Sequence, residues 1–421
     1  MHRVLSFQMS RITSESSEYV TKRLCFSFTF SIGFFCLLCG FLLGRFAVER
    51  SIEARVQKTR LELADNGLRN TEYLQQLTLR ELEEISFDHD YATNWENSED
   101  EIRHISGFFS NLSFIHEVIN YTSCIRATVR GSREPDRYVI LSANGDGITL
   151  ILEMMQVLNK MHSTHDWRPR RSLIFCVSLV PLDVCPQTLS DFLRRKVVAY
   201  VAIHGHFLQA DRYVTLPGSD VVQSIAIEAI KTVPGNSNWT YLGREGSGSR
   251  LFLDMPQVSF SFSESNLTRN QIHHDQNLRL HGVSLMQMVS QTIWRLSESI
   301  IMKWEPRYFN ETVNKVLESI DKFPSTIEKL RKTLRMLLAA MEDLNIKIDA
   351  MENTQTLHVR IWNDLILDLD RALLCPDKSF HSKTDLAILR KLSVESTSDT
   401  LNYLDNMIKC YEDAIQVLQE T

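Results

Sequence analysis

The sequence predicts an α/β domain on a mostly parallel sheet with flanking helices, followed by an all-α helical bundle and preceded by a single transmembrane helix. Three observations predict it. Apolar runs of strand length recur at Tyr138–Leu141, Leu173–Val177, Val197–Ile203 and Val258–Phe262, with helical patterns between them at 148–161, 187–196, 219–232 and 282–302. Buried β-rich runs separated by helices imply a sheet covered on both faces. Past Tyr308 the strand signals stop and two heptad seams take over. Near the start, Leu24–Gly44 carries no charge and is bounded by Arg23 and Arg45.

Each element follows in order. Residues 1–23 form a short polar tail. The 24–44 run, at about 1.5 Å per residue, spans roughly 31 Å, the thickness of a hydrocarbon core of about 30 Å. It is too long for a signal peptide, and no A-x-A-like cleavage site follows it. Residues 45–85 are charged with helical spacing, broken at Asn66-Gly67, and read as a helical stalk. Residues 86–122 are a short irregular segment rich in Asp, Asn and Ser, too small for a core of its own. Residues 123–304 carry the α/β pattern, and 307–421 the bundle. In the bundle, Ser325 and Glu328 form a capping-box pattern at a helix start. Ile327, Leu330, Leu334, Leu337, Met341, Leu344, Ile348 and Met351 then step by threes and fours, as do Leu401, Leu404, Ile408, Tyr411, Ile415 and Leu418. Such seams predict helices packed at a shallow angle. They fit an intrachain core, and an outer face could also join two chains.

The chain has 421 residues, 43% hydrophobic and 23% charged, with a net charge of −6. That balance has no nucleic-acid footprint. Lysines and arginines flank the span on both sides, so the positive-inside rule does not orient it. Asn111, Asn120, Asn238, Asn266 and Asn310 each head an N-x-S/T sequon, all after the span. They favour a type II membrane glycoprotein at the plasma membrane or in the secretory pathway, with its body lumenal or extracellular. Cys25, Cys36 and Cys39 lie in the span. Cys124, Cys176, Cys185, Cys375 and Cys410 lie beyond it, an odd number that leaves at least one free or paired between chains. Cys176, inside a strand pattern, reads as a small core residue.

Two stretches carry a family likeness. Arg130-Gly-Ser-Arg-Glu-Pro-Asp-Arg-Tyr-Val-Ile-Leu141 and Trp167-Arg-Pro-Arg-Arg-Ser-Leu-Ile-Phe175 resemble motifs of the glutamate carboxypeptidase (folate hydrolase) and transferrin receptor family of di-zinc peptidase-like membrane proteins. The resemblance implies a peptidase-like α/β domain over 123–304 and a transferrin-receptor-like dimerisation domain over 307–421. It also implies that the family's apical domain is missing, with 86–122 in its place.

The resemblance places a metal site here and shows it degenerate. A di-zinc peptidase needs five ligands and a Glu as general base, because two metals acidify a shared water and a carboxylate takes its proton. The family's H-R-D falls on Asn144, Gly145 and Asp146, and the bridging Asp lies in a Gly-rich segment deleted before Gly147. The Glu-Glu pair falls on Pro181 and Leu182. A further Asp ligand falls on His204, and the last His on His274. Weak zinc candidates remain at His204 and His274, with His206, His273 and Glu264 nearby. The family's glutamate-binding arginines fall on Leu216, Phe260 and Phe262. Lys383 could match a carboxylate-sensing Lys.

These residues argue against catalysis more than for it. The expected function is that of a catalytically inactive peptidase-fold membrane protein acting by binding or dimerisation, with no cofactor. It would form a homodimer, or a heterodimer with a family relative. One alternative is a residual metallocarboxypeptidase with an altered zinc site. Another is a truncated paralogue that pairs with a full-length family member.

Overall fold

The computed structural model describes residues 2–64, 69–84, 98–145, 147–180, 183–204, 210–233, 240–242, 255–264, 276–318, 320, 323–350, 356–373 and 397–419. The chain divides into two units, Met1–Leu61 and Glu62–Thr421. The first is one helix, α1 (His2–Ala64), which runs through the expected tail, span and first half of the stalk without a break. Within it Cys25–Arg55 is long and apolar enough to cross a membrane, and none of it is buried.

The second unit opens with α2 (Arg69–Glu83) and α3 (Ser98–Asn111) and contains an eight-stranded sheet. Its strands are β1 (Glu117–Asn120), β2 (Cys124–Val129), β3 (Glu134–Asn144), β4 (Arg171–Ser178), β5 (Val197–His204), β6 (Ala210–Thr215), β7 (Thr240–Leu242) and β8 (Gln257–Glu264). Their spatial order is β1-β2-β4-β3-β5-β8-β6-β7. The central four, β4, β3, β5 and β8, run parallel, and antiparallel pairs attach β2 and β6 on either side. The four expected strands are this parallel centre. The outer strands are short or interrupted by polar residues such as Arg126 and Asn120, so they gave no apolar run.

Helices α4 (Gly147–His165), α6 (Asp220–Lys231) and α7 (Gln276–Glu298) account for three of the four expected helical patterns. The pattern at 187–196 does not become a full helix. It forms a 3-10 turn at Cys185–Thr188 and one helical turn, α5 (Asp191–Arg194), separated by an extended Leu189. Side chains alternate across each strand. Val139, Leu141, Leu173, Phe175, Val201 and Ile203 belong to the main core, which includes residues of α4 and α7. Ile140, Ile174, Cys176, Tyr200 and Ala202 face the other way and pack with Cys185 and Leu189.

The two motif stretches meet at the amino-terminal ends of β3 and β4. Glu134, 1% exposed, takes Arg170 Nε at 2.6 Å and Arg171 Nε at 3.3 Å. Arg171 is fully buried and donates to the carbonyls of Leu296 and Ile300 at 2.7 and 3.2 Å. Trp167 stacks on Trp294 of α7, ring centres 5.1 Å apart. Gly131 lies against the backbone of Arg170 to Ser172, where an added Cβ would sit 2.6 Å from a carbonyl carbon.

After α7 come α8 (Pro306–Glu318), α9 (Pro324–Asp349), α10 (Thr356–Leu373) and α11 (Thr397–Gln419). The first seam is buried through Ile348 and the second from Leu404 to Leu418, with Leu401 half-buried, and α9 packs along α11, so they form an intrachain core. Met351, which closes the first seam, is outside the described residues. The capping box does not form. Pro324 is the first helical residue, Phe323 before it has φ 63°, and no side chain caps the helix. Proline's fixed φ suits that first position, and it puts Ser325 one residue too far in. Helix α10 ties the bundle to the sheet. Arg137 pairs with its Asp364 at 2.5 Å, and Asp136 pairs with its Arg360. Asp370 accepts from Ser219 Oγ at 2.6 Å and from the Val221 N–H at 2.9 Å, thereby capping α6.

Candidate functional site at the carboxyl ends of the parallel strands

The chain runs from β3 to β4 on one side of the sheet, then back past β3 to β5 on the other. Such a reversal opens a crevice beyond the carboxyl ends of the strands, the usual ligand position in α/β sheets. Here it is bounded by Asn144, Ser178 and His204. In register Asn144 lies beside Ser178, Ser142 beside Cys176, and Ala143 beside Ile203. The period-2 alternation puts Ser142, Asn144, Cys176, Ser178, Tyr200 and His204 on one face. Gly145 turns the chain at φ 53°, and α4 starts at Gly147, close against Ala143 and Ile203.

A carboxylate holds this face together, and it is Asp183. Its Oδ1 accepts from Ser142 Oγ at 2.8 Å, Ser178 Oγ at 3.3 Å and the Cys185 N–H at 3.1 Å. Its Oδ2 accepts from the Tyr200 hydroxyl at 2.5 Å. Burial pushes the Tyr200 phenol well above its usual range, and the nearby Asp183 charge adds to that. The phenol therefore stays a donor. Burial also lowers the pKa of His204, against the opposing pull of Asp183. That favours the neutral imidazole.

Sequence reasoning looked for carboxylates at 181 and 182 and passed over the next residue. One signal was available: Asp183 is the only acidic residue between Arg171 and Ser190. The structure brings Asn144 and His204 to one end of the sheet. Pro181, Leu182, Asp146, His274, His206 and His273 lie outside the described residues, as does Lys383. Glu264 ends β8, whose Ser261 pairs with His204. Leu216 and Phe260 are buried core residues.

The cysteines change one expectation. Cys176 is buried, but it is disulfide-bonded to Cys185 and is not a simple core thiol. The disulfide pins the Asp183 segment to β4. Cys410 is also disulfide-bonded, and Cys124 is a free, buried thiol, in keeping with the odd count. Of the sequon asparagines, Asn111 and Asn120 are exposed, and Asn310 is half-buried on α8. Asn238 and Asn266 lie outside the described residues.

Among the described residues, the donors at the strand ends fit a di-zinc centre poorly. Asn144 offers a neutral amide, and the Asp183 oxygens are already taken by four donors. Among the described residues, the only cluster of three or more potential metal-binding side chains is Cys124, Cys176 and Cys185, two of them oxidised together.

No protein-family model matches the chain. Curated proteins do share sequence with it, three of them as follows. Aminopeptidase NAALADL1 of Mus musculus is 23% identical over 325 residues, 61% of this chain and 44% of that protein. Probable glutamate carboxypeptidase LAMP1 of Arabidopsis thaliana is 23% identical, covering 62% and 45%. Transferrin receptor protein 2 of Mus musculus is 22% identical, covering 61% and 39%. The chain thus spans about two-fifths of the length of these relatives. Among solved structures, a zinc aminopeptidase from Bacillus subtilis aligns with a TM-score of 0.32 and 12% identity, over 42% of this chain and 50% of that one. The sequence likeness bears out the resemblance carried by Arg130–Leu141 and Trp167–Phe175: the chain is a relative of the glutamate carboxypeptidase and transferrin receptor family of peptidase-fold proteins.

Proposed function

We propose that this chain is a catalytically inert, single-pass membrane glycoprotein that acts by binding, with its peptidase-fold body on the lumenal or extracellular side. The observation that carries this reading is the state of Asp183. A metal-ligating carboxylate needs free lone pairs, and here three donors converge on one oxygen and a phenol on the other. The carboxylate serves the scaffold. Full-length protein in detergent should contain no stoichiometric zinc and should not hydrolyse glutamate-terminated peptides or aminopeptidase substrates. Two tightly bound zinc ions per chain, or hydrolysis abolished by a chelator, would overturn the proposal and favour the residual metallopeptidase. His204 motivates that second reading, because its imidazole is kept neutral beside the crevice.

Self-association through 307–421 is the other half of the proposal. The heptad seams are consumed within the chain, so a partner would meet an outer face. Leu357 and Ile361, one turn apart on α10, are 68% and 50% exposed. A full-length family relative is the alternative partner, with this chain as the truncated paralogue. Converting Leu357 and Ile361 together to Asp should turn a sedimenting dimer into a monomer of unchanged thermal stability. A wild-type monomer at micromolar concentration would remove this half of the proposal. Glycosidase treatment of protein made in secretory cells should increase gel mobility, and no shift would argue against the orientation.

A further inference from the structure

We propose that Cys124, Cys176 and Cys185 form an internal thiol–disulfide exchange site, in which the Cys124 thiol displaces Cys185 from its bond to Cys176. The three sulfurs lie within 4.8 Å of one another, all buried. Cys124 is free, and the other two are joined. Exchange needs a thiolate, a disulfide within reach and a leaving sulfur that can carry charge.

Each requirement has a group beside it. Arg126 and the Thr188 side chain both favour the Cys124 thiolate, against burial and the Asp183 charge, which oppose it. Burial is the largest influence, so the thiol is protonated at rest and the exchange is slow. Ser178 Oγ stands 3.5 Å from Cys185 Sγ, where its hydroxyl, by rotating away from Asp183, can donate to that sulfur as it leaves. This favours attack on Cys176.

The step balances without an outside oxidant. Cys124 gives up its proton and its sulfur bonds to Cys176 Sγ. The Cys176–Cys185 bond breaks, and Cys185 departs as a thiolate that is then protonated. One thiol and one disulfide exist before and after. The new bond would join neighbouring antiparallel strands, with Cys124 opposite Ser178 and Cys176 opposite Arg126. Such a diagonal pair, roughly 7–8 Å apart, is wider than an ordinary disulfide span. The bond therefore requires β2 to shift, and among the described strands its other neighbour is the four-residue β1.

The consequence falls on the strand-end crevice. Freeing Cys185 unpins the Cys185–Thr188 turn and the segment that carries Asp183. Ser142 and Tyr200 would then lose their shared acceptor. A thiol–disulfide exchange on one face of the sheet would thus open the end where β3, β4 and β5 converge. This inference stands whether or not a metal ever binds there.

The test is disulfide mapping of the full-length protein in detergent, alkylated in acid before digestion. Wild type incubated with a small-thiol catalyst should yield a Cys124–Cys176 linked peptide with Cys185 alkylated, alongside the original pairing. In oxidised Cys185→Ser protein, Cys124 and Cys176 should be linked and neither should take up alkylating agent. In Cys124→Ser protein only the Cys176–Cys185 pair should appear. The proposal fails if incubated wild type shows only Cys176–Cys185 with Cys124 alkylated. It fails equally if oxidised Cys185→Ser protein keeps Cys124 and Cys176 as two free thiols.

Discussion

The two ends of strands β3 and β4 are built from different chemistry. At the amino-terminal ends, Glu134 binds two arginines, Arg171 reaches two carbonyls of the α7 region, and Trp167 stacks on Trp294. At the carboxyl-terminal ends, hydroxyls and one carboxylate satisfy one another around Asp183. The first end is a buried ionic clamp with reach across the molecule. The second is a local polar network closed by a disulfide nine residues long in sequence. The residues that carry the family resemblance belong to the first end. Such motifs report that the scaffold folds and say little about the chemistry at the other end of the same strands.

Breaking the clamp should have the largest effect. Glu134→Ala leaves Arg171 buried with an uncompensated charge, which costs about 3–5 kcal/mol. Urea unfolding of the detergent-solubilised protein would measure it, or the variant will fail to accumulate. A loss under about 1 kcal/mol would mean that the arginines find water or another acceptor, and the contrast between the two ends would lapse.

The clamp also has a pH dependence. Glu298 faces Arg170 and Arg171, yet burial outweighs them and pushes its carboxyl up to about 7 from 4.5. A carboxyl with a raised folded-state pKa adds stability that is complete below about 4.5 and is lost as pH rises through about 7. The shift corresponds to roughly 3 kcal/mol at most. Glu298→Gln removes this titration. Its stability relative to wild type should therefore rise by up to about 3 kcal/mol between pH 4 and pH 8. Taking the difference between the two pH values cancels the cost of repacking an amide. A flat difference would place the titration elsewhere.

How much of this was legible follows from where each signal resides. The runs at 138–141, 173–177, 197–203 and 258–262 are local in sequence, and they became β3, β4, β5 and β8. The 327–348 seam is equally local, and it became α9. Gln257 of β8 and Ser219 before α6 are far apart in sequence, and their link to Asp370 of α10 left no pattern to read. The same holds for Arg171, whose partners are Glu134 and two carbonyls more than a hundred residues away. The strand-end positions of Asn144 and His204 were legible, because the family motifs run into β3 and β5. The carboxylate that organises this end was not, since Asp183 matters through Tyr200 and Ser142, and only the fold brings them together.

Removing that organiser should cost less than breaking the clamp. Asp183→Ala strips an acceptor from buried Ser142, Ser178 and Tyr200 and from a backbone N–H. The hydroxyls of Ser142 and Ser178 can rotate toward other acceptors, so the net loss should be about 2 kcal/mol. Tyr200→Phe should cost about 1 kcal/mol, because it deletes one hydrogen bond and leaves Asp183 three donors. The pair defines a double-mutant cycle. If the phenol and the carboxylate act on each other, the double variant should be more stable than the two single losses added together predict, by roughly 0.5–1 kcal/mol. Strict additivity would mean that Tyr200 contributes only its ring, and that the network beyond β3–β5 is less cooperative than its geometry implies. The same cycle in Cys185→Ser protein provides a sharper test. There the segment holding Asp183 is no longer pinned to β4, and the coupling should shrink toward zero.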